Sequence, residues 1–142
     1  MSHAEKSPFR TRALVAALLL GGLGAGTALA ADVKVTLSGA NEVPPVTTSA
    51  AGSGTITIAD DGSVSGSISS TGVAGTAAHI HEAAAGKNGP VIVPLTKDGD
   101  SYKVPAGAKL TAAQIASYKA GNLYVNVHSA ANPNGEVRAQ LK

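Results

Sequence analysis

Ala78-His79-Ile80-His81-Glu82 and Tyr124-Val125-Asn126-Val127-His128 decide how the rest of the chain is read. Each alternates with the period of two of a β-strand, so His79 and His81 project from one face while Ala78 and Ile80 project from the other. In the second stretch Asn126 and His128 share a face, and Leu123, Val125 and Val127 take the opposite one. Two strands with apolar faces toward a common core therefore bring three histidines to the other side. Two His at i and i+2 on a strand stand roughly 6 to 7 Å apart along one face. One ion with metal–nitrogen bonds near ~2 Å bridges such a pair, and a third His from a neighbouring strand completes a three-nitrogen set.

Outward from these strands the pattern stays β. Val33 to Leu37 alternates as a first strand, and Ser38 to Thr48 breaks it with Gly39, Asn41, Pro44 and Pro45. Gly54 to Ile58 and Ser63 to Ile68 flank Asp60-Asp61-Gly62, a hairpin signal. Val91 to Leu95 is a short apolar strand whose Pro94 places it at an edge. Lys97 to Asp100 reads as a turn and Ser101 to Val104 as a minor strand. One segment departs from the pattern: Thr111 as N-cap, Gln114 completing a capping box and Leu110 against Ile115 predict a helix that stops at Gly121. Leu123 to His128 and Glu136 to Leu141 close the chain, and the last puts Glu136 and Arg138 on the histidine side. The expectation is an all-β, antiparallel Greek-key β-sandwich or barrel with one short helix.

Composition bounds the setting. The 142-residue chain begins with Lys6, Arg10 and Arg12, the apolar run Ala13 to Leu20, and a Gly/Ala-rich stretch ending Ala28-Leu29-Ala30. That is the layout of a secretory signal cleaved after Ala30, and the apolar run is too short to span a membrane, which takes about 20 residues. Residues 31–142 then form one domain, exported to a periplasm or secreted, with no stable membrane insertion after processing. The chain carries 11 basic and 9 acidic residues. Lys6, Arg10, Arg12 and Glu5 all lie before residue 31, which leaves the domain evenly balanced and without a basic footprint for nucleic acid. There is no cysteine, so the domain folds without disulfides, and with 3% aromatic residues its core is Val, Ile, Leu and Ala.

The chemistry follows from the ligand types. His79, His81 and His128 are the expected metal ligands, with Ala83 to Pro90 and Ser129 to Gly135 as the walls. Glu82, Asn126 and Glu136 are candidates for orienting groups behind them. With no Cys and the only Met at position 1, sulfur ligation is absent from the domain. Imidazole ligation suits Cu(II) or Zn(II), and the affinity order puts copper first and zinc second.

Several ordered stretches carry a resemblance: Leu37 to Val46, Ala78 to His81, Asn88 to Val91, Gly121 to His128 and Asn132 to Arg138. Together they resemble the CHRD domain, a module named from chordin and widespread in exported bacterial proteins, over residues 32 to 142. That family has no general assigned activity. His79-Ile80-His81-Glu82, Val127-His128 and Gly135-Glu136-Val137-Arg138 are also similar to the copper-ligand strands and active-site arginine of copper/zinc superoxide dismutases. This second resemblance implies a Greek-key sandwich, copper on His79, His81 and His128, and Arg138 as an anion guide. The bridging and zinc-loop histidines and the disulfide have no counterpart here. Three functions are open: an exported copper-binding protein for metal storage, delivery or protection; a copper-dependent dismutase-like oxidoreductase; and a metal-free structural or interaction module. A homodimer sharing the site, or an unknown protein partner, is equally open.

Overall fold

The computed structural model describes residues 29–142. Residues 1–28 of the expected secretory signal lie outside it, and Ala30, the expected cleavage position, is the first residue of β1. Nine antiparallel strands form one sheet in the order β5-β4-β8-β9-β1-β2-β3-β7-β6. The strands are β1 (Ala30–Ser38), β2 (Ala51–Ala59), β3 (Val64–Thr71), β4 (Gly75–Glu82), β5 (Val91–Pro94), β6 (Thr96–Asp98), β7 (Ser101–Lys103), β8 (Leu123–Ser129) and β9 (Val137–Gln140).

Parity sets which way each strand faces. In β1, Val33, Val35 and Leu37 are buried while Lys34 and Thr36 are exposed. Ile56, Ile58, Ile68, Ile80, Val125 and Val127 join them in one continuous core. The β2–β3 hairpin turns where expected: Asp61 Oδ1 accepts from the Ser63 amide at 2.9 Å. Gly62 sits at φ +90°, a conformation a side chain disfavours.

The sheet nearly closes on itself, and the closure lies in the sequence order of its two ends. β5 and β6 stand at opposite ends of the sheet, yet only Leu95 separates them in the chain. Val91 to Asp98 is thus one kinked strand that pairs with β4 through its first half and with β7 through its second. Pro94 has no N–H to donate, and the Leu95 amide makes the last bond to β4, on Ala78 O at 3.0 Å. The edge position expected for Pro94 is where the barrel changes partners. The turn expected over Lys97 to Asp100 is narrower: Lys97 and Asp98 belong to β6, and the chain turns at Gly99, φ +61°. The charged pair reads as loop in the sequence, but it sits on a short exposed strand paired with β7, whose Lys103 reaches along the ladder to bond Asp98 at 3.0 Å.

β4, the β5/β6 strand and β7 follow one another through hairpins, and β8 returns to lie beside β4, which is the Greek-key order. The returning connection carries α1 (Ala112–Lys119). Its capping box forms as expected: Thr111 Oγ1 accepts from the Gln114 amide at 3.2 Å and Gln114 Oε1 accepts from the Thr111 amide at 2.9 Å. Gly121 follows the C-cap at φ +80°. No helix among the described residues is long and apolar enough to cross a membrane.

Candidate metal centre

β4 and β8 pair so that Ala77 faces His128, His79 faces Asn126, and His81 faces Tyr124. On its other side β8 pairs with β9, where Asn126 faces Arg138 and Tyr124 faces Gln140. All of these side chains stand on the outer face of the barrel and continue one another across three strands. That face is not open to solvent. His81 and His128 are buried, His79 is half-buried, and every residue of β8 is buried. The core covers one side of β8, and loops 83–90 and 129–135 cover the other.

The three histidines form the cluster expected of them. One ring nitrogen from each can be chosen so that all lie within 4.8 Å of one another. Two nitrogens on opposite sides of one ion are about 4.1 Å apart, so the set stands within about 1 Å of a coordinating arrangement. His79 Nδ1 and His128 Nε2 are 2.9 Å apart, the separation of two ligands at about a right angle on one ion with ~2.05 Å bonds.

Backbone carbonyls set the tautomers. His81 Nδ1 lies 2.9 Å from Gly89 O and His128 Nδ1 lies 2.9 Å from Pro133 O. A carbonyl only accepts, so each Nδ1 carries the proton and each Nε2 presents a lone pair. His128 Nε2 accepts from His79 Nδ1–H in the metal-free protein. His81 Nε2 is buried and has no partner, and such an atom costs free energy unless something binds it. Burial, followed by the neighbouring His128 and His81 rings, lowers the His79 pKa. Burial is also the main cause lowering that of His81, against the opposing bond to Gly89 O. Both are therefore neutral, ligand-competent imidazoles at pH 7. The donor set and the orphaned His81 Nε2 fit a borderline divalent ion.

The other expected residues have different places. Glu82 accepts from Ser117 Oγ at 2.6 Å and so ties β4 to α1. Glu136 accepts from Ser129 Oγ and Asn132 Nδ2, each at 2.9 Å, and from Thr48 Oγ1 at 3.3 Å. It pins the loop whose Pro133 carbonyl holds His128. Asn126 lies directly beside the cluster and donates from Nδ2 to Glu42 Oε1. Arg138 is buried behind Tyr124. Its guanidinium carbon stands 3.4 Å from the centre of the Tyr124 ring, whose other partner is His81, stacked at 4.8 Å and 3°. Arg138 Nη1 donates to Lys87 O at 2.8 Å and Asn88 Oδ1 at 3.4 Å, and Nη2 to Ala84 O and Gln140 Oε1, both at 3.2 Å. These bonds give Arg138 the task of holding loop 83–90 against the barrel.

Four contributors carry no signal in a ligand search by residue type. Gly89 and Pro133 act through their carbonyls. Tyr124 acts as a plate between His81 and Arg138, and its hydroxyl accepts from the Gly89 amide at 3.2 Å. Glu42 comes from the 39–46 loop, far away in sequence. The one available signal is at Gly89, where a Cβ would collide with Glu82 O, so that only glycine brings this carbonyl against His81.

A family model for the CHRD domain matches residues 33–141, and the chain belongs to that family. No curated protein and no solved structure matches it. The similarity to copper/zinc superoxide dismutases is thus not among the findings.

Proposed function

We propose that this CHRD-family protein binds a single divalent metal ion through His79, His81 and His128, with Cu(II) preferred and Zn(II) second, and serves to hold, deliver or sequester that ion. The carrying observation is the buried, unpartnered Nε2 of His81 within a triangle of ring nitrogens, two of which have their tautomers pinned by backbone carbonyls. The stacked Tyr124 and the Arg138-bound loop keep the His81 ring in place before any ion arrives, which lowers the ordering cost of binding. Copper stands ahead of zinc on ligand type alone. We place the protein outside the cytoplasm, on the basic and apolar N-terminal segment that precedes the domain.

A dismutase-like oxidoreductase draws less support, because both terminal nitrogens of Arg138 are committed to carbonyls and side-chain amides. A metal-free module gives no reason for an orphaned imidazole nitrogen in a protein interior. Calorimetric and electron paramagnetic resonance titration of the metal-stripped protein with Cu(II) tests the reading. One ion per chain with nitrogen hyperfine structure is expected, lost in His79→Ala and in His128→Ala. Weak binding that neither substitution changes returns the histidines to a structural role.

A further inference from the structure

Among the described residues two buried side-chain polar atoms have no hydrogen-bond partner: His81 Nε2 and Asn126 Oδ1. They belong to the same place. Asn126 faces His79 across the β4–β8 pairing and precedes His128 by two residues on the same face of β8. It is 1% exposed. Its Nδ2 lies 3.4 Å from Glu42 Oε1 and 3.4 Å from Asn134 O. Asn134 O can only accept, so the amide orientation is settled by its surroundings: the NH2 group faces the loops, and Oδ1 faces away from them. Gly135, φ +126°, makes this possible, since a Cβ there would collide with Glu42 Oε1 and Asn126 Nδ2.

His81 Nε2 is a lone pair because Nδ1–H is donated to Gly89 O. Asn126 Oδ1 is a lone pair as well. Asn126 lies diagonally across the β4–β8 pair from His81, whose own partner Tyr124 is two residues away on β8. Two buried acceptors thus stand on the same face of adjacent strands, and neither can satisfy the other. A cation satisfies both, and at ~2 Å from each it needs less room than a water at about 2.8 Å from each.

We propose that Asn126 Oδ1 is the fourth protein ligand of the metal, completing a set of three imidazole nitrogens and one carboxamide oxygen. This rests on the metal-binding reading above and sharpens it. On a tetrahedral ion such as Zn(II), four protein donors leave no position for an exchangeable ligand, which is the arrangement of a site that holds an ion and not of one that turns over a substrate on it.

The test is azide added to the full chain loaded with Co(II), which takes the tetrahedral geometry of Zn(II), read by the visible absorption of the ion. Wild type is expected to keep its spectrum when azide is added. Asn126→Ala is expected to keep its cobalt with affinity lowered at least about tenfold and to change its spectrum as azide enters the vacated position. If wild type and Asn126→Ala respond to azide equally while His79→Ala has lost the metal, the fourth ligand is overturned and the three-histidine site stands. If wild type binds neither Co(II) nor Cu(II), both fall together. Should Asn126→Ala not fold, the wild-type azide titration decides alone.

Discussion

Glu42 stands 4% exposed behind Asn126, and burial pushes its carboxyl up to about 7, against the opposing pull of Asn126 and Arg138. An unfolded chain releases that proton near 4.5. Between those two values the folded metal-free protein holds more protons than the unfolded one, so its stability falls as pH rises from about 4.5 to about 7. The loss at pH 8 amounts to about 3 kcal/mol. Glu42→Gln, which stays neutral, is expected to flatten this slope in urea unfolding series between pH 5 and pH 8; an unchanged slope would show that Glu42 ionises freely. The three histidines were legible from residue type and strand parity alone. Glu42 was not, because a carboxylate in a proline-rich loop reads as solvated until loop 39–46 is seen folded onto β8. Arg138 was legible as a resident of the right face but not in its contacts, since the carbonyls of Ala84 and Lys87 have no signature in sequence.

Loop 83–90 is ordered by one side chain that it does not contain. Arg138 bridges β9 to the carbonyls of Ala84 and Lys87, and the same loop supplies the Gly89 carbonyl to His81. Gln140 Nε2 adds a bond to Ala83 O at 2.8 Å. Arg138→Lys keeps a charge but loses the fork that reaches several acceptors. It is expected to destabilise the fold by about 2–4 kcal/mol, to open Ala83 to Pro90 to proteolysis, and to weaken Cu(II) binding without removing a ligand. The readouts are urea midpoint, limited trypsin digestion and titration. The helix tests a separate element: Thr111→Ala removes the N-cap and is expected to cost about 1 kcal/mol with metal affinity unchanged. This helix was readable to the residue because its signals are local. The strand β6 was not, because a three-residue exposed strand is defined only by its partner.

For the molecule as a whole, an ion that binds the folded domain alone raises its stability by mass action. At a free Cu(II) concentration 100 times the Kd the gain is about 2.7 kcal/mol, an upward shift in Tm of roughly 10 °C or more for a domain of this size. Calorimetric scans are expected to show that shift in wild type and not in His79→Ala; equal shifts would place the ion elsewhere. The all-β class and the alternating faces follow from period-two patterning, but the closure through Leu95 does not. It depends on which neighbours β5 and β6 choose, and no local pattern records that choice. The pairing of β9 with both β8 and β1 has a consequence for timing. A chain emerging N-terminus first has His79 and His81 long before it has His128, and its first strand waits for its last. On the proposed reading, therefore, an ion is taken up only after β8 is in place, in whichever compartment the finished chain folds.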